Sequence, residues 1–424
     1  MMKIYWIEVR RSPLLWCLPL LIAVDMAAVF GRSHYWIGVW PQASAAAQIP
    51  ALFFAPAFSA AAAWAVGRSL RRGIAEQRGA AARPAWHMEA AQFMATVTYG
   101  VLAYGLGAAA AAAVSVPDAG PGFLWPSYLL LGISVIIACS AVGHAVGRLA
   151  RSTVAAPVIC GLACFVAVGG AGSPRNLGFY VLSGDPGIEI NGAALAVRLA
   201  LAAALVAAAV CVPALLRRGR TGWAPGIGYR AMGLGALLAV VTAVGSLPAA
   251  GSIRADRAAP KEPLCSNGSP RVCLWPEDRK YLQQTSAMAE RLGAIPQDWI
   301  RTPDTFYELG VRPDGPETAN DFSIVEGNLW FAAPNMAGSI IQLSIPPRCE
   351  ELSPENANKV GTAIAQIEMW LEFRAMGTSD TPNVQSDMPG EDLGAAQSAT
   401  RLPEAKQADW VNQRLKVIHE APCA

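Results

Sequence analysis

Apolar residues run almost unbroken through seven stretches of the first 250 residues, at 13–30, 49–66, 90–115, 124–147, 153–171, 193–216 and 231–250. Most approach the ~20 residues an α-helix needs to cross ~30 Å of hydrocarbon. The pattern predicts a polytopic α-helical membrane domain of about seven transmembrane helices over 13–250, preceded by a short segment, 1–12, and followed by a linker at 251–263. Beyond it the long runs stop, and 264–424 reads as a soluble α+β domain. Pro276 with acids behind it starts a helix that runs to Arg291 and stops at Gly293. Residues 323–331 and 339–345, rich in Ile, Val, Leu and aromatics, read as strands. Ser353 opens a second helix with Val360, Ile364, Ile367 and Leu371 on one stripe, and 404–418 makes a third. Residues 377–402, rich in Gly, Ser, Asp, Pro and Gln, read as a loop.

Charge orients the spans. Lys3, Arg10 and Arg11 precede the first; Arg68, Arg71, Arg72, Arg78 and Arg83 follow the second; Arg148 and Arg151 follow the fourth; Arg217, Arg218, Arg220 and Arg230 separate the sixth and seventh. The alternate connections hold only Arg32, Arg175 and Arg198. The positive-inside rule then puts the N-terminus in the cytoplasm and everything after residue 251 outside a plasma membrane. The overall +2 conceals a split, because residues 1–251 carry 17 Lys/Arg against 7 Asp/Glu and residues 252–424 carry 16 against 24. The basic part suits an anionic inner leaflet and the acidic part suits solvent. Nothing in this distribution points to nucleic acid.

The first apolar run is longer than a signal-peptide core and is followed by Gly-Arg-Ser-His-Tyr-Trp, without a small-x-small cleavage site, so it reads as an uncleaved helix. Before it, Ile4, Trp6 and Ile7 interleave with charges, as in a helix lying flat in the inner interface. Gly143-x-x-x-Gly147 in the fourth span is a small-xxx-small packing pattern. Asp25 is a carboxylate inside the first span, expensive there unless paired, protonated or wet. It is a candidate for the lining of a translocation path, with a hydrogen-bonded structural role as the alternative. His144, one turn from the cytoplasmic end of its span, reads as an interfacial histidine.

Five of the nine cysteines (Cys17, Cys139, Cys160, Cys164, Cys211) fall in the spans, where a thiol is a small apolar packing group. Cys265, Cys273, Cys349 and Cys423 fall in the outer domain, and an even number on an oxidising side favours two disulfides. Of the three pairings, Cys265 with Cys273 is preferred because Ser-Asn-Gly-Ser-Pro between them is turn chemistry. Cys349 would then pair with Cys423. No histidine has a spacing to these cysteines that suits a metal, and no cofactor is implied.

The connection after the second span reads Arg68-Ser-Leu-Arg-Arg-Gly-Ile-Ala-Glu-Gln-Arg-Gly, helix-compatible and basic, with Pro-Ala-Trp turning the chain back at 84–86. This connection resembles the coupling loop of ABC-type exporter permeases, in which a short Arg- and Glu-containing helix docks on an ATP-binding subunit. An interfacial helix precedes the first span in that family, as 3–11 does here. The resemblance covers roughly residues 1–220 and rests on degenerate motifs. It implies a coupling role for Arg71, Arg72, Ile74, Glu76, Gln77 and Arg78, an ATP-binding partner subunit, and a second permease copy, identical or different. The family's core ends after six helices, whereas this chain adds a seventh and an outer domain. Residues 172–192 occupy the place where many such permeases put half-crossing helices, but are polar.

No G-x-x-x-x-G-K-[ST] phosphate loop is present, so any ATP hydrolysis belongs to another chain. The outer domain has one histidine, His419, and neither H-E-x-x-H nor G-x-S-x-G. Glu350 and Glu351 form an acid pair, a pattern far commoner in solvated surface than in a glycosidase. Together with the resemblance, which implies a permease subunit of an ABC-type exporter, the missing motifs predict a non-enzymatic chain. The alternative is a membrane-anchored ligand-binding or sensor protein without transport.

Overall fold

The computed structural model describes residues 2–31, 33–70, 85–150, 153–215, 227–312, 321–325, 327–345, 353–378 and 393–422. The chain divides into two units: Met1–Asp118 with Gly122–Asp256, and Ala119–Pro121 with Arg257–Ala424.

The first unit is helical. It contains α1 (Met2–Arg11), α2 (Leu14–Phe30), α3 (Ser33–Trp36), α4 (Trp40–Gln48), α5 (Pro50–Leu70), α6 (Ala85–Ser115), α7 (Pro126–Ala150), α8 (Ala155–Val166), α9 (Gly192–Leu215) and α10 (Ile227–Ser246). Among the described residues, Trp40–Gly67, Trp86–Ser115, Pro126–Ala150 and Gly192–Cys211 are long and apolar enough to cross a membrane. The pair α1 and α2, bent by 70°, makes a fifth if it is counted as one span. The remaining two expected spans are apolar helices outside that set. Helix α10 spans 20 residues, Ile227–Ser246, with its apolar part at Arg230–Ser246, whereas Ala155–Ala171, where α8 passes into a π-helical turn at Ala167–Ala171, falls below the length of a full crossing. At 1.5 Å per residue, 17 residues reach only ~26 Å.

The second crossing begins nine residues earlier than hydropathy placed it. Its leading part, α4, carries Gln42, Ser44 and Gln48, and these are buried. Ser44 and Gln48 are tolerated there because partners meet them, while Gln42 Oε1 has no hydrogen-bond partner among the described residues. Ser44 Oγ donates to Trp40 O at 2.7 Å and accepts from Trp125 N–H at 2.8 Å. Gln48 Nε2 donates to Tyr128 O at 2.9 Å and its Oε1 accepts from Val181 N–H at 2.7 Å.

Helices α5 and α7 pack with almost nothing between their backbones. A Cβ on Gly143 would run into the Ser59 carbonyl, and one on Gly147 would meet the Ala63 backbone. The small-xxx-small pattern therefore marks a helix contact within this chain. Beside it Phe54, Phe58, Tyr99, Tyr104 and Ile136 form a buried cluster.

Residues 172–187 form no helix, so the half-crossing arrangement is absent there. The segment ends in β1 (Ile188–Ile190), paired antiparallel with β2 (Arg254–Asp256) in the register Ile190 opposite Arg254. Arg198 on α9 holds it: Nε reaches Gly178 O at 2.7 Å, Nη2 reaches Leu177 O at 2.5 Å, and Nη1 reaches Ala194 O at 2.7 Å. A single guanidinium thus satisfies carbonyls that irregular backbone would otherwise leave bare.

The second unit is α+β. Its sheet has the order β3 (Leu264–Cys265), β4 (Arg271–Leu274), β5 (Thr305–Glu308), β6 (Asp321–Phe322), antiparallel at β3/β4 and parallel beyond. Around it lie α11 (Leu282–Gly293), α12 (Ala332–Ser344), α13 (Pro354–Met376), α14 (Leu393–Thr400) and α15 (Glu404–Glu420). Pro276 opens a 3₁₀ turn, Pro276–Tyr281, that runs into α11, and Ser353 Oγ caps α13 by accepting the Asn356 N–H at 3.4 Å. Trp275 is fully buried, its indole donating to Leu309 O at 2.9 Å, while its backbone N–H goes to Glu308 Oε2 at 2.9 Å. Trp370 is likewise buried and donates to Gln407 Oε1 at 3.1 Å, and Gln407 Nε2 reaches Leu402 O at 2.7 Å.

Three expectations fail in this unit. Residues 339–345 lie mostly in α12, whose buried Ala332, Ala333, Met336, Ala337 and Ile340 follow the helical period of 3.6. Among the described residues of 323–331 there is no strand, only an isolated bridge between Val325 and Asn328. The stretch taken as a loop from 377 to 402 contains α14.

Candidate functional site

The first helix is an elbow. Tyr5, Trp6 and Ile7 sit among charges on α1, Arg10 and Arg11 end it exposed, and Ser12-Pro13 turns the chain by 70° into α2. Pro13 lacks an N–H and disfavours a helical residue before it, which breaks α1 from α2. The elbow is fixed to α6 at two points. Tyr5 Oη and Thr98 Oγ1 are 2.8 Å apart, and Tyr99 Oη donates to Val9 O at 2.6 Å.

Asp25 is completely buried on α2. Its carboxylate lies where a Cβ of Gly107 would stand, so α2 and α6 meet around a glycine-backed niche. Tyr104 Oη, one turn before Gly107, is buried with no hydrogen-bond partner among the described residues, as are both Asp25 oxygens.

A second polar group was not anticipated. Glu89, in the second turn of α6, is buried, and its Oε2 accepts from Arg148 Nε at 3.0 Å and lies 3.3 Å from His144 Nε2. Arg148 Nη2 also reaches Oε1, making the contact two-pronged. His144 and Arg148 are four residues apart and so share a face of α7. Phe93 closes the group edge-on to the imidazole, with ring centres 5.8 Å apart. His144 is thus a buried member of a polar network with Glu89 and Arg148. Burial of the Glu89 carboxylate and the Arg148 guanidinium is tolerable because each meets the other.

Between the elbow, α5, α6 and α8 lies a cleft of about 410 Å³ with mainly apolar walls, including Leu14, Cys17, Ala61 and Trp64. Glu8, Ser12, Gln92 and Thr96 supply its polar lining.

Of the residues singled out from sequence, Asp25 is placed as above, and Cys265 and Cys273 form a disulfide across directly opposed positions of β3 and β4. Arg71, Arg72, Ile74, Glu76, Gln77 and Arg78 lie outside the described residues, as do Cys349, Cys423, Glu350 and Glu351. Among the described residues no group of three or more His, Cys, Asp or Glu could hold a metal ion. Glu89, and its link to His144 and Arg148, is not visible in the sequence because each residue, taken alone, sits near a span end where ionisable residues are ordinary.

Comparison with protein-family models, with curated proteins and with solved structures finds no match to this chain.

Proposed function

We propose that this protein is the transmembrane permease subunit of an ABC-type exporter, energised by a separate ATP-binding subunit and working beside a second permease copy. The observation that carries the reading is the elbow. An interfacial helix ending in Arg10 and Arg11, bent 70° into the first apolar helix and bonded to α6, is a lever at the inner membrane face. Its contact on α6 is with the same helix that continues from the 71–84 connection, whose Arg71 to Arg78 segment would dock on the ATPase. The Glu89, His144 and Arg148 network lies in the first turns after that connection and pins α6 to α7. Motion at the docking segment would therefore reach two helices as one body.

In this reading the N-terminus is cytoplasmic, Ala155–Ala171 and Arg230–Ser246 complete seven crossings, and the second unit lies outside the membrane. The arginine distribution and the Cys265–Cys273 disulfide support that orientation. Asp25 joins a path only when α2 and α6 part, since its carboxylate is closed off while they are packed.

The test is charge reversal of the docking segment. Glu76→Arg with Arg78→Glu should dissociate the ATP-binding subunit on co-purification or lower coupled ATP turnover at least tenfold, the factor ~1.4 kcal/mol gives. Membrane insertion should be unchanged, because the other arginines of the connection remain. Retention of both ATPase association and turnover would remove the exporter reading and leave a membrane-anchored sensor or ligand-binding protein.

A further inference from the structure

We propose that Asp25 is a proton-binding site: the packed first unit holds it as the neutral carboxylic acid, and the proton leaves only when α2 and α6 part. The inference rests on the interior of the first unit and holds whether or not the chain is an exporter. Asp25 is 0% exposed, and neither of its oxygens has a hydrogen-bond partner among the described residues. Its carboxyl group lies against the backbone of Gly107, where any Cβ would collide with it. The Gly107 N–H within reach of it is already engaged in the helical ladder of α6. Tyr104 Oη, one turn earlier on α6, backs onto Gly132 of α7 and makes no bond to the carboxyl group either. Around that tyrosine the cluster is apolar, with Phe58 and Ile136 buried in it and Leu21 and Ile22 of α2 packed against it.

An ionised carboxylate is the costliest form this side chain can take there, because neither water nor a donor replaces its hydration. The neutral acid gives up far less on burial, so it is the form that close packing selects. Charged and titratable groups on the elements packed against α2 stand elsewhere. Lys3, Tyr5, Glu8, Arg10 and Arg11 are on α1, beyond the start of α2, which is ~16 Å from Asp25 along the helix. Helix α4 carries none, and Arg68 lies in the last turn of α5. The side chains of Arg68, Arg32 and His34 lie outside the described residues. On α6, His87, Glu89 and Tyr99 precede Gly107 by at least ~12 Å, which leaves Tyr104. Parting of α2 and α6 admits water. The acid O–H bond then breaks, its electron pair stays on the carboxylate, and the proton passes to water. Repacking takes one proton back. The packed state therefore binds one proton more than the parted state, and above the ordinary carboxylate range rising pH favours parting by up to about tenfold per pH unit.

The experiment is infrared difference spectroscopy of the full chain in lipid vesicles at neutral pH, wild type against Asp25→Asn. The difference should contain the C=O stretch of a protonated carboxylic acid, lost in the variant. Solvated carboxylates are ionised at this pH and cancel between the two samples. Asp25→Asn should keep the fold, since its amide replaces a neutral acid of the same shape. If it fails to fold, Asp25→Ala, which removes the carboxyl group and adds nothing, answers the same question. A thiol placed by Ile22→Cys, with Cys17→Ser, then follows the parting of the helices. Its rate of labelling by a water-soluble maleimide is divided by the rate in the Asp25→Asn background, which cancels the thiol's own titration. That ratio should rise with pH, by up to about tenfold per unit. Absence of the acid band, as for an ionised Asp25 held by Arg32, overturns the proposal. So does a labelling ratio that does not change with pH.

Discussion

Both units bury large aromatic side chains, Trp36, Phe58 and Tyr104 in the first and Trp275 and Trp370 in the second, but in the first unit the tightest helix contacts are made where side chains are missing. Gly143 and Gly147 let α7 lie against the backbone of α5, and Gly107 leaves room for the Asp25 carboxylate. Trp275, Phe306, Phe322 and Trp370 fill the interior of the sheet-containing unit. The contrast follows from solvent. Burying an indole gains much when the alternative is water, but little when the alternative is hydrocarbon, so close backbone approach and polar contacts hold membrane helices together. Exposed Val158, Ile159, Leu162 and Phe165 on α8 and Leu234, Leu238 and Val241 on α10 obey the same logic, since a bilayer is an acceptable neighbour for them.

The contrast breaks if the two units respond alike to changes in volume. Trp370→Ala should cost the second unit about 3–5 kcal/mol, from the cavity and from the lost bond to Gln407. Denaturant midpoints read from protease-resistant fragments of each unit in the full chain would show it, with the first unit's midpoint unmoved. Glu89→Ala should cost the first unit about 3 kcal/mol, because Arg148 loses the carboxylate it grips at two points. Replacing Glu89 and Arg148 together by leucine should recover most of that loss, and failure to recover would show that the network does more than neutralise charge. Gly143→Ala should cost about 1–3 kcal/mol by collision with Ser59. Alanine favours an isolated helix over glycine by about 1 kcal/mol, so an increase in stability would mean that the close approach is relaxed in the membrane.

Much of this architecture is legible along the chain. The apolar runs locate the helices, Gly143 and Gly147 mark the tightest contact, and Pro276 and Ser353 open helical segments where local chemistry places them. The turn between Cys265 and Cys273 foretells their bond, since register partners of a short hairpin need no distant information. What escapes is non-local. Glu89 lies 55 and 59 residues from His144 and Arg148, the groups it meets. The parallel strands β5 and β6 are four and two residues long, too short for a periodic signal. Residues 339–345 misled because Ile340, Ile341, Leu343 and Ile345 favour strands locally, while burial of the preceding alanines and Met336 decides for a helix. Polar Ser44 and Gln48 hid the start of the second crossing for a similar reason, their partners Trp125, Tyr128 and Val181 being far away in sequence.

The short ladder between β1 and β2 has a mechanical consequence. The chain leaves the first unit through β2, whose end, Asp256, is paired with Ile188. A pull delivered along the backbone at residue 257 is therefore met first by the rungs at 188–190, as a cable gland takes tension before the conductor does. Behind those rungs stands Arg198, whose guanidinium ties 177–178 to α9. Load is thus shunted into α9, and α10, the shorter helix that directly precedes the exit, is spared it.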